Sequence, residues 1–381
     1  MNLLELASGF ATEGAPERVE PLGDGNVNAT YALEVEGGRR YVLQRLNTTV
    51  FARPDLVMAN LDAVVRHCRQ RLATASSPGD GAAAPWQVPS PVPLKAAPAG
   101  SDGPCHLLHD GDQTWRMITF VEGAHSLERV QHGSEAFEVG RALGCFHALI
   151  HDLPADALAD TLEGFHVTPR YHARYLGVLA DAATSPSAVT QRLADSQAQG
   201  CVAFIAARRD LVPVLEQARE AGHLQLRPIH GDPKVNNVML CSATGCAVAM
   251  VDLDTVKPGL LQYDIGDALR SGCNPAGEET TDLDAVNFDL ELAAAMLRGY
   301  LLEACGVLSR HDIDHLYDAI RLLPFELGLR FFCDYLEGDV YFKVSHPRHN
   351  LDRALVQFRL VESIESQERE IRALIAALCE A

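Results

Sequence analysis

The sequence predicts an α+β fold with a small, β-rich N-terminal part and a larger, mostly helical C-terminal part. Apolar and polar residues alternate on both sides of Gly37-Gly38, which is the pattern of a β-hairpin. From Ser134 onward the apolar residues recur at helical spacing. The 381 residues are enough for two lobes, each with its own core. We therefore expect an N-terminal lobe over residues 1–120 and a C-terminal lobe over residues 121–381.

The composition limits the partners of this chain. It carries 51 acidic and 32 basic side chains, a formal charge of −19, which argues against nucleic acid or an anionic membrane as the main partner. Its ten cysteines stand singly without a CxxC pair, which predicts reduced thiols and no zinc site. The N-terminus has neither a basic leader nor a long apolar run. We therefore expect no signal peptide and no membrane span, and a cytoplasmic protein.

The elements of the N-terminal lobe follow from residue spacing. Residues 1–15 have the apolar pattern of a short helix, and residues 31–35 and 41–45 are predicted to form the two strands of the hairpin. A helix is predicted from about Pro54 to Leu72. Ala, Pro, Gly and Ser dominate residues 73–104, so we expect an insertion there with one or two short strands.

A predicted strand over Trp115–Gly123 leads from the N-terminal lobe into the C-terminal lobe. Beyond it, helical spacing predicts most of the remaining elements. These predicted helices cover residues 134–153, 187–207, 210–221, 288–304, 313–335 and 352–379.

Two motifs in the helical half carry the candidate chemistry. The first, IHGDPKVNNVML, places Asn237 five residues after Asp232, and the second, VDLDTVKPG, contains Asp252. Protein kinases carry a related arrangement of an Asp, an Asn and a later magnesium-binding Asp. One carboxylate can take the proton of a hydroxyl, while a second carboxylate and an amide oxygen can hold a hard cation. The alternative for Asp232 is a surface Gly-Asp-Pro turn.

The segment between the motifs predicts how they meet. Two apolar runs flank a Ser-Ala-Thr-Gly turn, which is typical of a β-hairpin. Such a hairpin would place Asn237 before its first strand and Asp252 at the end of its second, so we expect the two side chains to lie close together.

The N-terminal lobe holds the candidate phosphate contacts. The loop from Gly23 to Thr30 contains Gly25 and Asn26, and such a loop can lie over phosphates because its backbone N–H groups can approach closely. The alternative is a polar hairpin turn. In a kinase lobe the third strand carries a basic residue that contacts phosphates, and here Arg45, in the second strand of the predicted hairpin, is the candidate, unless it is a solvated strand-end residue. The absence of a GxxxxGK[ST] motif argues against a P-loop enzyme.

The end of the strand at Thr119–Glu122 is a candidate hinge. A kinase reads adenine through backbone groups where a strand enters the lobe connection, so Thr119, Phe120 and Glu122 are candidate nucleotide contacts. The alternative is an ordinary end of a core strand.

A third motif, YDIGDALR, contains Asp264 and Asp267 around a glycine. We interpret Asp264 as a turn carboxylate that accepts hydrogen bonds from backbone N–H groups and braces the catalytic loop, rather than as a chemical group. His230 is expected to share this supporting role. His147 and His151 have the spacing of a helical metal pair, but the sequence offers no third ligand near them.

The three motifs HGDPKVNN, VDLDTVKPG and YDIGDALR resemble those of the aminoglycoside phosphotransferase and choline kinase superfamily. Within it, the stretches YVLQRLN, GFHVTPR, RFFCDYLEGDVYF and HPRHNLDRALVQFRLVES look most like the N-acetylhexosamine 1-kinases. The similarity runs over nearly the whole chain. It implies a protein-kinase-like fold of two lobes, with ATP and Mg²⁺ as cofactors.

The resemblance also implies roles for single residues. Asp232 would be the catalytic base and contact the substrate. Asn237 and Asp252 would hold magnesium, and Asp254 would bind the ion directly or support its ligands.

Arg330 and Tyr341 resemble sugar-contacting residues of the N-acetylhexosamine 1-kinases. Arg330 offers a fork of donors and Tyr341 a stacking surface with a hydroxyl, although both residue types also serve in packing between helices. One departure concerns the sugar: Ser271 and Gly272 follow GDALR where the sugar kinases carry a bulky apolar residue.

The sequence therefore predicts an ATP-dependent small-molecule kinase. The favoured reaction is in-line phosphoryl transfer to the anomeric hydroxyl of a hexose or N-acetylhexosamine, which depends on positioning and charge neutralisation. A first alternative is an aminoglycoside, choline-like or other amino-alcohol acceptor, which would need carboxylates or aromatic faces around its cation. A second alternative is a pseudokinase that binds nucleotide without turnover.

Overall fold

The computed structural model describes residues 2–23, 27–74, 85–96, 103–184 and 188–379. The described chain combines antiparallel strands with a larger number of helices, which confirms the α+β prediction. The strands are β1 (Pro16–Pro21), β2 (Ala29–Val35), β3 (Arg40–Leu46), β4 (Leu107–Asp110), β5 (Gln113–Thr119), β6 (Ala124–Ser126), β7 (Arg227–Ile229), β8 (Val238–Cys241), β9 (Ala247–Met250) and β10 (Lys257–Gly259).

The helices lie mostly in the second half of the chain. They are α1 (Leu3–Ala7), α2 (Pro54–Thr74), α3 (Gly133–Ile150), α4 (Thr168–Thr184), α5 (Ala188–Leu193), α6 (Ser196–Ala207), α7 (Val214–Glu220), α8 (Leu261–Gly272), α9 (Leu290–Ala304), α10 (Arg310–Asp314), α11 (Leu316–Glu337), α12 (His349–Ser366) and α13 (Glu368–Cys379).

The chain divides into two compact units. The first unit comprises residues 1–125, 149–163 and 239–258, and the second comprises residues 126–148, 164–238 and 259–381. The β8–β9 hairpin thus belongs to the unit built mainly from the N-terminal segment. A single division at residue 120 would assign residues 149–163 and 239–258 to the C-terminal lobe, although both segments belong to the first unit.

The first unit is built on a five-stranded sheet of order β1-β2-β3-β5-β4. The predicted hairpin is confirmed, with β2 and β3 antiparallel and Leu33 opposite Tyr41. One face packs into a core that includes Phe10 and Met117. Within the predicted insertion, Val92 lies beside the end of β5 that β4 does not cover, and its N–H donates to the Met117 carbonyl at 2.8 Å.

The predicted hairpin between the two motifs is also confirmed. Strands β8 and β9 are neighbours in a three-stranded sheet with β6. The Cys241 N–H donates to the Cys246 carbonyl at 2.8 Å, and the Ser-Ala-Thr-Gly turn lies between them.

Helix α11 forms the centre of the second unit. Its side chains are buried on nearly every side, as expected for a helix enclosed by others. Helices α12, α8 and α4 pack against it. Gly266 of α8 makes the close approach possible, because a Cβ there would lie 2.7 Å from the Ala319 carbonyl oxygen of α11.

Some predicted boundaries were wrong. The segment YDIGDALR lies in helix α8, so Asp264 belongs to the first turn of a helix and not to a loop turn. The predicted helix over 187–207 is broken before α6, where Asp195 caps the new helix by accepting from the Gln197 N–H at 2.8 Å. The apolar spacing does not change at such a break, so periodicity alone could not reveal it.

No helix in the described ranges is both long and apolar enough to cross a membrane.

Helices α3 and α9 approach each other through two glycines. A Cβ on Gly140 would lie 1.9 Å from the Met296 carbonyl oxygen, and a Cβ on Gly299 would lie 2.0 Å from the Phe137 carbonyl oxygen. These contacts are to main-chain atoms, so a side-chain rotation cannot relieve them. The two helices must therefore separate if either glycine gains a methyl group.

We expect Gly140→Ala to lower the free energy of unfolding by about 1–3 kcal/mol, the usual effect of overpacking. Gly177→Ala is the matched control, since Gly177 lies in α4 and a Cβ there would have no neighbour within 4 Å. That change should stabilise the protein by about 0.5–1 kcal/mol through helix propensity. Denaturant unfolding measures both, and equal effects of the two substitutions would contradict the close helix contact.

Candidate active site

The loop His230-Gly231-Asp232 is held by a buried carboxylate. Oδ2 of Asp264 accepts from the His230 N–H at 2.7 Å, and Oδ1 accepts from the Gly231 N–H at 2.8 Å. Oδ2 also lies 2.9 Å from Nε2 of His147. Burial alone would raise the pKa of Asp264, but His147 and the N–H donors outweigh burial and lower it. Asp264 is therefore an ionised anchor for the loop.

The loop conformation requires a glycine at its centre. Gly231 has φ 86°, a left-handed conformation that residues with a Cβ rarely adopt. The carbonyl of Gly231 lies 2.8 Å from Nε2 of His166, and the N–H of Asp232 lies 3.3 Å from Nδ1 of His230. Each peptide group of the loop is thus bonded within the second unit.

Asp232 is a partly exposed carboxylate beside a cation. Its side chain is 26% exposed, and Nζ of Lys234 lies 2.9 Å from its Oδ2. Burial would raise the pKa of Asp232, but the charge of Lys234 outweighs burial and lowers it. The carboxylate is therefore ionised near neutral pH and can accept a proton.

Asn237 supports the main chain of Asp232. It lies in the short 3₁₀ segment Val235–Asn237, and its Nδ2 donates to the Asp232 carbonyl at 2.7 Å. This orients the amide so that Oδ1 has no donor among the described residues. An amide oxygen of this kind is a suitable ligand for a hard cation.

Asp252 lies in a strained backbone conformation in the first unit. It follows β9 with φ 61° and ψ 53°, and a 3₁₀ segment begins directly after it. A left-handed residue with a Cβ costs about 1–2 kcal/mol and persists where the surroundings fix it. Its side chain is exposed. The strain marks Asp252 as a candidate functional carboxylate.

Both carboxylate oxygens of Asp254 contact other side chains of the protein. Its Oδ1 lies 2.5 Å from Nη1 of Arg116, and its Oδ2 accepts from Nδ2 of Asn28 at 2.7 Å. The ion pair is almost fully buried, with both side chains 2% exposed. The prediction that Asp254 binds the ion directly therefore does not fit this arrangement. The geometry agrees better with a residue that fixes the loop carrying Asp252.

Arg116, the partner of Asp254, is held in place by side chains of the five-stranded sheet. Thr30, Gln44 and Arg116 are register partners across β2, β3 and β5. Oε1 of Gln44 accepts from Nε and Nη2 of Arg116 at 2.9 and 2.7 Å, and Nε2 of Gln44 donates to Thr30 at 3.2 Å. We call Asn28, Thr30, Gln44, Arg116 and Asp254 the Arg116 network.

Arg45 lies on the other face of the sheet from the Arg116 network. Neighbouring residues of a strand point to opposite faces, so Arg45 shares its face with Tyr41 and Leu43 while Gln44 points toward Asp254. Arg45 is exposed and its register partner is Trp115. Gln44, and not Arg45, therefore lies on the face of the sheet that carries Asp254.

The candidate hinge is partly occupied by the chain itself. The Thr119 N–H donates to the Ser90 carbonyl at 2.9 Å. The Gln87 side chain accepts from the Glu122 N–H at 3.2 Å and donates to the Glu122 carbonyl at 3.0 Å. The main-chain groups of Phe120 and Val121 have no hydrogen bond to other described residues. These are the hinge groups that a base could read.

Gly25 and Asn26, the candidate phosphate-loop residues, lie outside the described residues.

Arg330 lies on α11, and its guanidinium group is surrounded by aromatic rings from other segments. Its guanidinium carbon is 5.1 Å from the ring centroids of Phe165 and Tyr171 and 5.5 Å from that of Phe342. Arg330 and Tyr341 both line a small cavity of about 90 Å³ in the second unit. Tyr341 is 52% exposed, and its ring meets Phe342 edge-on at 4.8 Å. The structure thus brings the two predicted sugar contacts to one cavity.

The carboxylates of this cavity are already bonded. Asp334 accepts from the main-chain N–H groups of residues 340–342 and from Asn350. Glu337 pairs with Arg174 at 2.7 Å. Arg330, by contrast, faces aromatic rings and has no ion pair within 4 Å among the described residues. Burial would lower the pKa of Arg330, but Tyr171, Tyr341, Glu326 and Asp267 outweigh burial and raise it. Arg330 is therefore the cation that this wall presents to the cavity.

Ser271 and Gly272 act on the catalytic loop and on helix packing. Oγ of Ser271 accepts from the Val235 N–H at 3.1 Å. A Cβ on Gly272 would lie 2.6 Å from Sδ of Met296 and 3.5 Å from the Val235 side chain. The departure from the sugar-kinase pattern is thus explained by contacts outside the cavity of Arg330.

Sequence reasoning missed His166, Lys234 and Arg116. Lys234 had a visible signal, because a cation two residues after Asp232 can reach its carboxylate. Arg116 had a weaker one, as a charged residue in the apolar strand WRMITF. His147 was considered as a metal ligand, but it lies 2.9 Å from Asp264 and 2.9 Å from the Tyr300 hydroxyl. Within the described residues, no cluster of three His, Cys, Asp or Glu forms a metal site.

The buried pair of Arg116 and Asp254 gives a stability prediction. We expect Arg116→Met to lower the free energy of unfolding by about 3–5 kcal/mol, because it leaves a buried carboxylate without its cation. The double variant R116M/D254N should recover part of that loss, since neither side chain is then charged. Denaturant unfolding of the single and double variants measures this coupling.

Arg39→Met is the matched control for this prediction. Arg39 pairs with Glu13 at the surface, where the two side chains are 49% and 69% exposed. Removing an exposed pair should change stability by at most about 1 kcal/mol. A loss in R116M no larger than that in R39M would contradict the buried ion pair.

Comparison with known proteins places the chain in context. The model of the phosphotransferase enzyme family (APH) matches residues 18–306. The chain is similar to a microcompartment-associated aminopropanol kinase, with 18% identity and a TM-score of 0.59 over 96% of this chain and 97% of that one. It is also similar to a spectinomycin phosphotransferase in complex with ADP and spectinomycin, with 11% identity and a TM-score of 0.56 over 96% and 98%.

A third similar structure is an amicoumacin kinase in complex with AMP-PNP, Ca²⁺ and Ami, with 17% identity and a TM-score of 0.55 over 96% of this chain and 92% of that one. At such low identities these likenesses show the fold alone. The fold is the protein-kinase-like one that the sequence resemblance implied, with a β-rich unit and a larger helical unit.

Proposed function

The chain belongs to the phosphotransferase enzyme family, and we propose that it transfers the γ-phosphoryl group of ATP to the anomeric hydroxyl of a hexose or N-acetylhexosamine. The observation that carries the choice of acceptor is the guanidinium group of Arg330, which lies among aromatic rings and has no ion pair within 4 Å among the described residues. Guanidinium donors and aromatic faces suit the hydroxyls and the apolar ring face of a sugar.

Asp232 is the proposed base. Its carboxylate is kept ionised by Lys234 and is carried by a loop whose peptide groups are bonded. A general base must be ionised and within hydrogen-bond reach of the hydroxyl it deprotonates. The proton of the acceptor hydroxyl would move to Asp232 while the oxygen attacks the γ-phosphorus and the bond to the ADP oxygen breaks.

Asn237 and Asp252 are the proposed magnesium ligands. The uncommitted Oδ1 of Asn237 and the exposed carboxylate of Asp252 are oxygen donors of the type Mg²⁺ prefers. When bound, the ion would neutralise charge on the phosphates of ATP. Asp254 supports this role by pairing with Arg116 and fixing the loop after β9.

The nucleotide contacts are proposed at the hinge and the sheet. Phe120 and Val121 offer free main-chain groups for adenine, whereas those of Thr119 and Glu122 are partly used by Ser90 and Gln87. Gly25 and Asn26 keep their proposed place at the phosphates by sequence. Arg45 is not retained in this role.

An amino-alcohol or aminoglycoside acceptor is the competing proposal. Two of the similar structures are an aminopropanol kinase and a spectinomycin phosphotransferase, which supports this alternative at the level of fold. A cationic acceptor needs a carboxylate that is not already paired or an open aromatic face, and the rings of Phe165, Tyr171 and Phe342 already face the guanidinium of Arg330. In the described cavity Asp334 and Glu337 are bonded to protein groups, and Arg330 would repel a cation. We therefore favour the sugar.

The acceptor can be identified by a screen for ADP release. Free hexoses, N-acetylhexosamines, aminoglycosides, choline and small amino alcohols should be tested with Mg·ATP. We expect release with a sugar, accompanied by loss of its reducing end, because transfer to the anomeric oxygen blocks ring opening. Release with amines alone would overturn the sugar acceptor. A nucleotide-dependent thermal shift without any ADP release would favour the pseudokinase.

Asp232→Asn should remove the proton acceptor and keep the shape of the side chain. We expect kcat to fall by about two orders of magnitude or more, with ATP affinity little changed. Steady-state ADP release and a thermal shift with Mg·ATP measure the two quantities. Turnover within about two-fold of wild type would rule out Asp232 as the base.

Arg330→Met should remove the guanidinium and keep most of the apolar stem. We expect the KM for the sugar to rise by about ten-fold or more, the effect of losing a charged hydrogen-bond donor. Arg208→Met is the matched control, because Arg208 also stacks on an aromatic ring but pairs with Glu365. Equal KM values for both variants would contradict a sugar contact at Arg330.

A further inference from the structure

His166 lies buried beside the catalytic loop with both ring nitrogens engaged. Its Nε2 is 2.8 Å from the Gly231 carbonyl oxygen, and its Nδ1 is 3.0 Å from Oε1 of Glu326. A carbonyl oxygen can only accept, so Nε2 carries a proton and donates to Gly231. His166 is 4% exposed, so water cannot readily replace either bond.

The His166 ring and the Glu326 carboxylate form a buried ion pair. Burial alone would lower the pKa of His166, but the hydrogen bond and charge of Glu326 outweigh burial and raise it. Burial would likewise raise the pKa of Glu326, but His166 outweighs burial and lowers it. Oε2 of Glu326 accepts from the Thr168 hydroxyl at 2.6 Å. Both nitrogens of the imidazolium therefore act as donors.

The backbone of His166 is fixed in an uncommon conformation. Its φ is 64°, which is unfavourable for a residue with a Cβ. The ring lies 4.0 Å from the centroid of Phe165 and 5.5 Å from that of Tyr263. Such conformations are kept where the surroundings impose them, and they cluster at functional sites.

We propose that His166 is a positioning residue that orients the Gly231–Asp232 peptide against helix α11, an inference that rests on the proposed role of Asp232 as the base. The Gly231 carbonyl and the Asp232 N–H belong to one planar peptide group. A donor on that carbonyl fixes the plane and thereby the direction in which the Asp232 side chain leaves the main chain. His166 thus acts on the reaction through Gly231 without touching the substrate.

The same contact connects the base to the acceptor wall. Glu326 and Arg330 are four residues apart on α11, which is about one helical turn. His166 ties Glu326 to the loop of Asp232, so α11 cannot shift along the loop without breaking a charged hydrogen bond. We expect this contact to keep the acceptor hydroxyl and the Asp232 carboxylate in register, and therefore to affect kcat more than the KM for ATP.

Two substitutions separate positioning from packing. The amide nitrogen of an asparagine would lie near the position of Nδ1. His166→Asn can therefore keep a hydrogen bond to Glu326 but loses the hydrogen bond to the Gly231 carbonyl. The amide nitrogen of a glutamine would lie nearer the position of Nε2. His166→Gln can therefore keep the hydrogen bond to the Gly231 carbonyl but loses the ion pair with Glu326. Asparagine also accepts a positive φ more readily than glutamine does. If His166 serves only in packing, H166N should be the more active variant. If His166 positions the Gly231–Asp232 peptide, H166Q should be the more active variant.

We expect H166N to lower kcat about ten-fold or more with the KM for ATP little changed, and H166Q to recover most of that loss. His223→Asn is the control for a histidine change at an exposed site. Near-wild-type kcat in H166N, or H166N more active than H166Q, would overturn the inference while the proposed function stands. No ADP release by the wild type with any acceptor would overturn both.

A direct measurement decides the case if H166N fails to fold. In the wild type, ¹⁵N NMR of labelled histidine should show both ring nitrogens of His166 protonated at neutral pH, with H166Q used for the assignment. A ring without a proton on Nε2 would overturn the inference, because it could not donate to Gly231.

The ion pair also gives a pH dependence. The groups that face the ring are Glu326 and Arg330 of α11, and Asp267 and Tyr263 of α8. A raised pKa of His166 means that its stabilisation is complete below its ordinary value of about 6.5 and is lost as pH rises through the raised value. The stability difference between wild type and H166Q/E326Q should therefore be largest near about pH 6 and shrink toward alkaline pH. A difference that grows with pH would contradict the pair.

Discussion

The arrangement of the second unit depends on one buried carboxylate, that of Asp264. A short loop that turns through a left-handed glycine leaves its N–H groups without partners, and buried N–H groups are costly to leave unpaired. Asp264 satisfies two of them and is itself kept ionised by His147. Helix α8 carries this anchor into the packed centre beside α11, so the rigidity of the helical core is passed to the loop that bears Asp232.

The first unit uses a comparable device for the other motif. Asp264 holds the loop after β7 by accepting from its N–H groups, whereas Asp254 lies in the loop after β9 and fixes it by pairing with Arg116 and accepting from Asn28. In each case one acid, Asp264 or Asp254, is buried and bonded, while the acid of the loop that it supports, Asp232 or Asp252, keeps some exposure. A phosphotransferase of this kind supplies positioning and charge rather than covalent chemistry, so fixed loops with exposed carboxylates suit it.

Much of the fold could be predicted from the sequence, which also named Asp232, Asn237 and Asp252 as candidate site residues. The hairpins around Gly37-Gly38 and Gly245 were visible because turn residues separate alternating or apolar runs. The face that Arg45 occupies could not be predicted, because a slip of one residue reverses the face of a strand, and only the register places Gln44 beside Arg116. His166 was not recognised because its partners, Gly231 and Glu326, lie 65 and 160 residues away along the chain.

The central claim is that Asp264 holds the loop of the proposed base in one conformation. Amide hydrogen exchange of the segment containing His230 and Gly231, compared between wild type and Asp264→Asn, tests it most directly. We expect slow exchange in the wild type and exchange faster by about ten-fold or more in the variant, with the amides of α11 unchanged. Equally slow exchange of the segment in both proteins would show that Asp264 does not hold the loop.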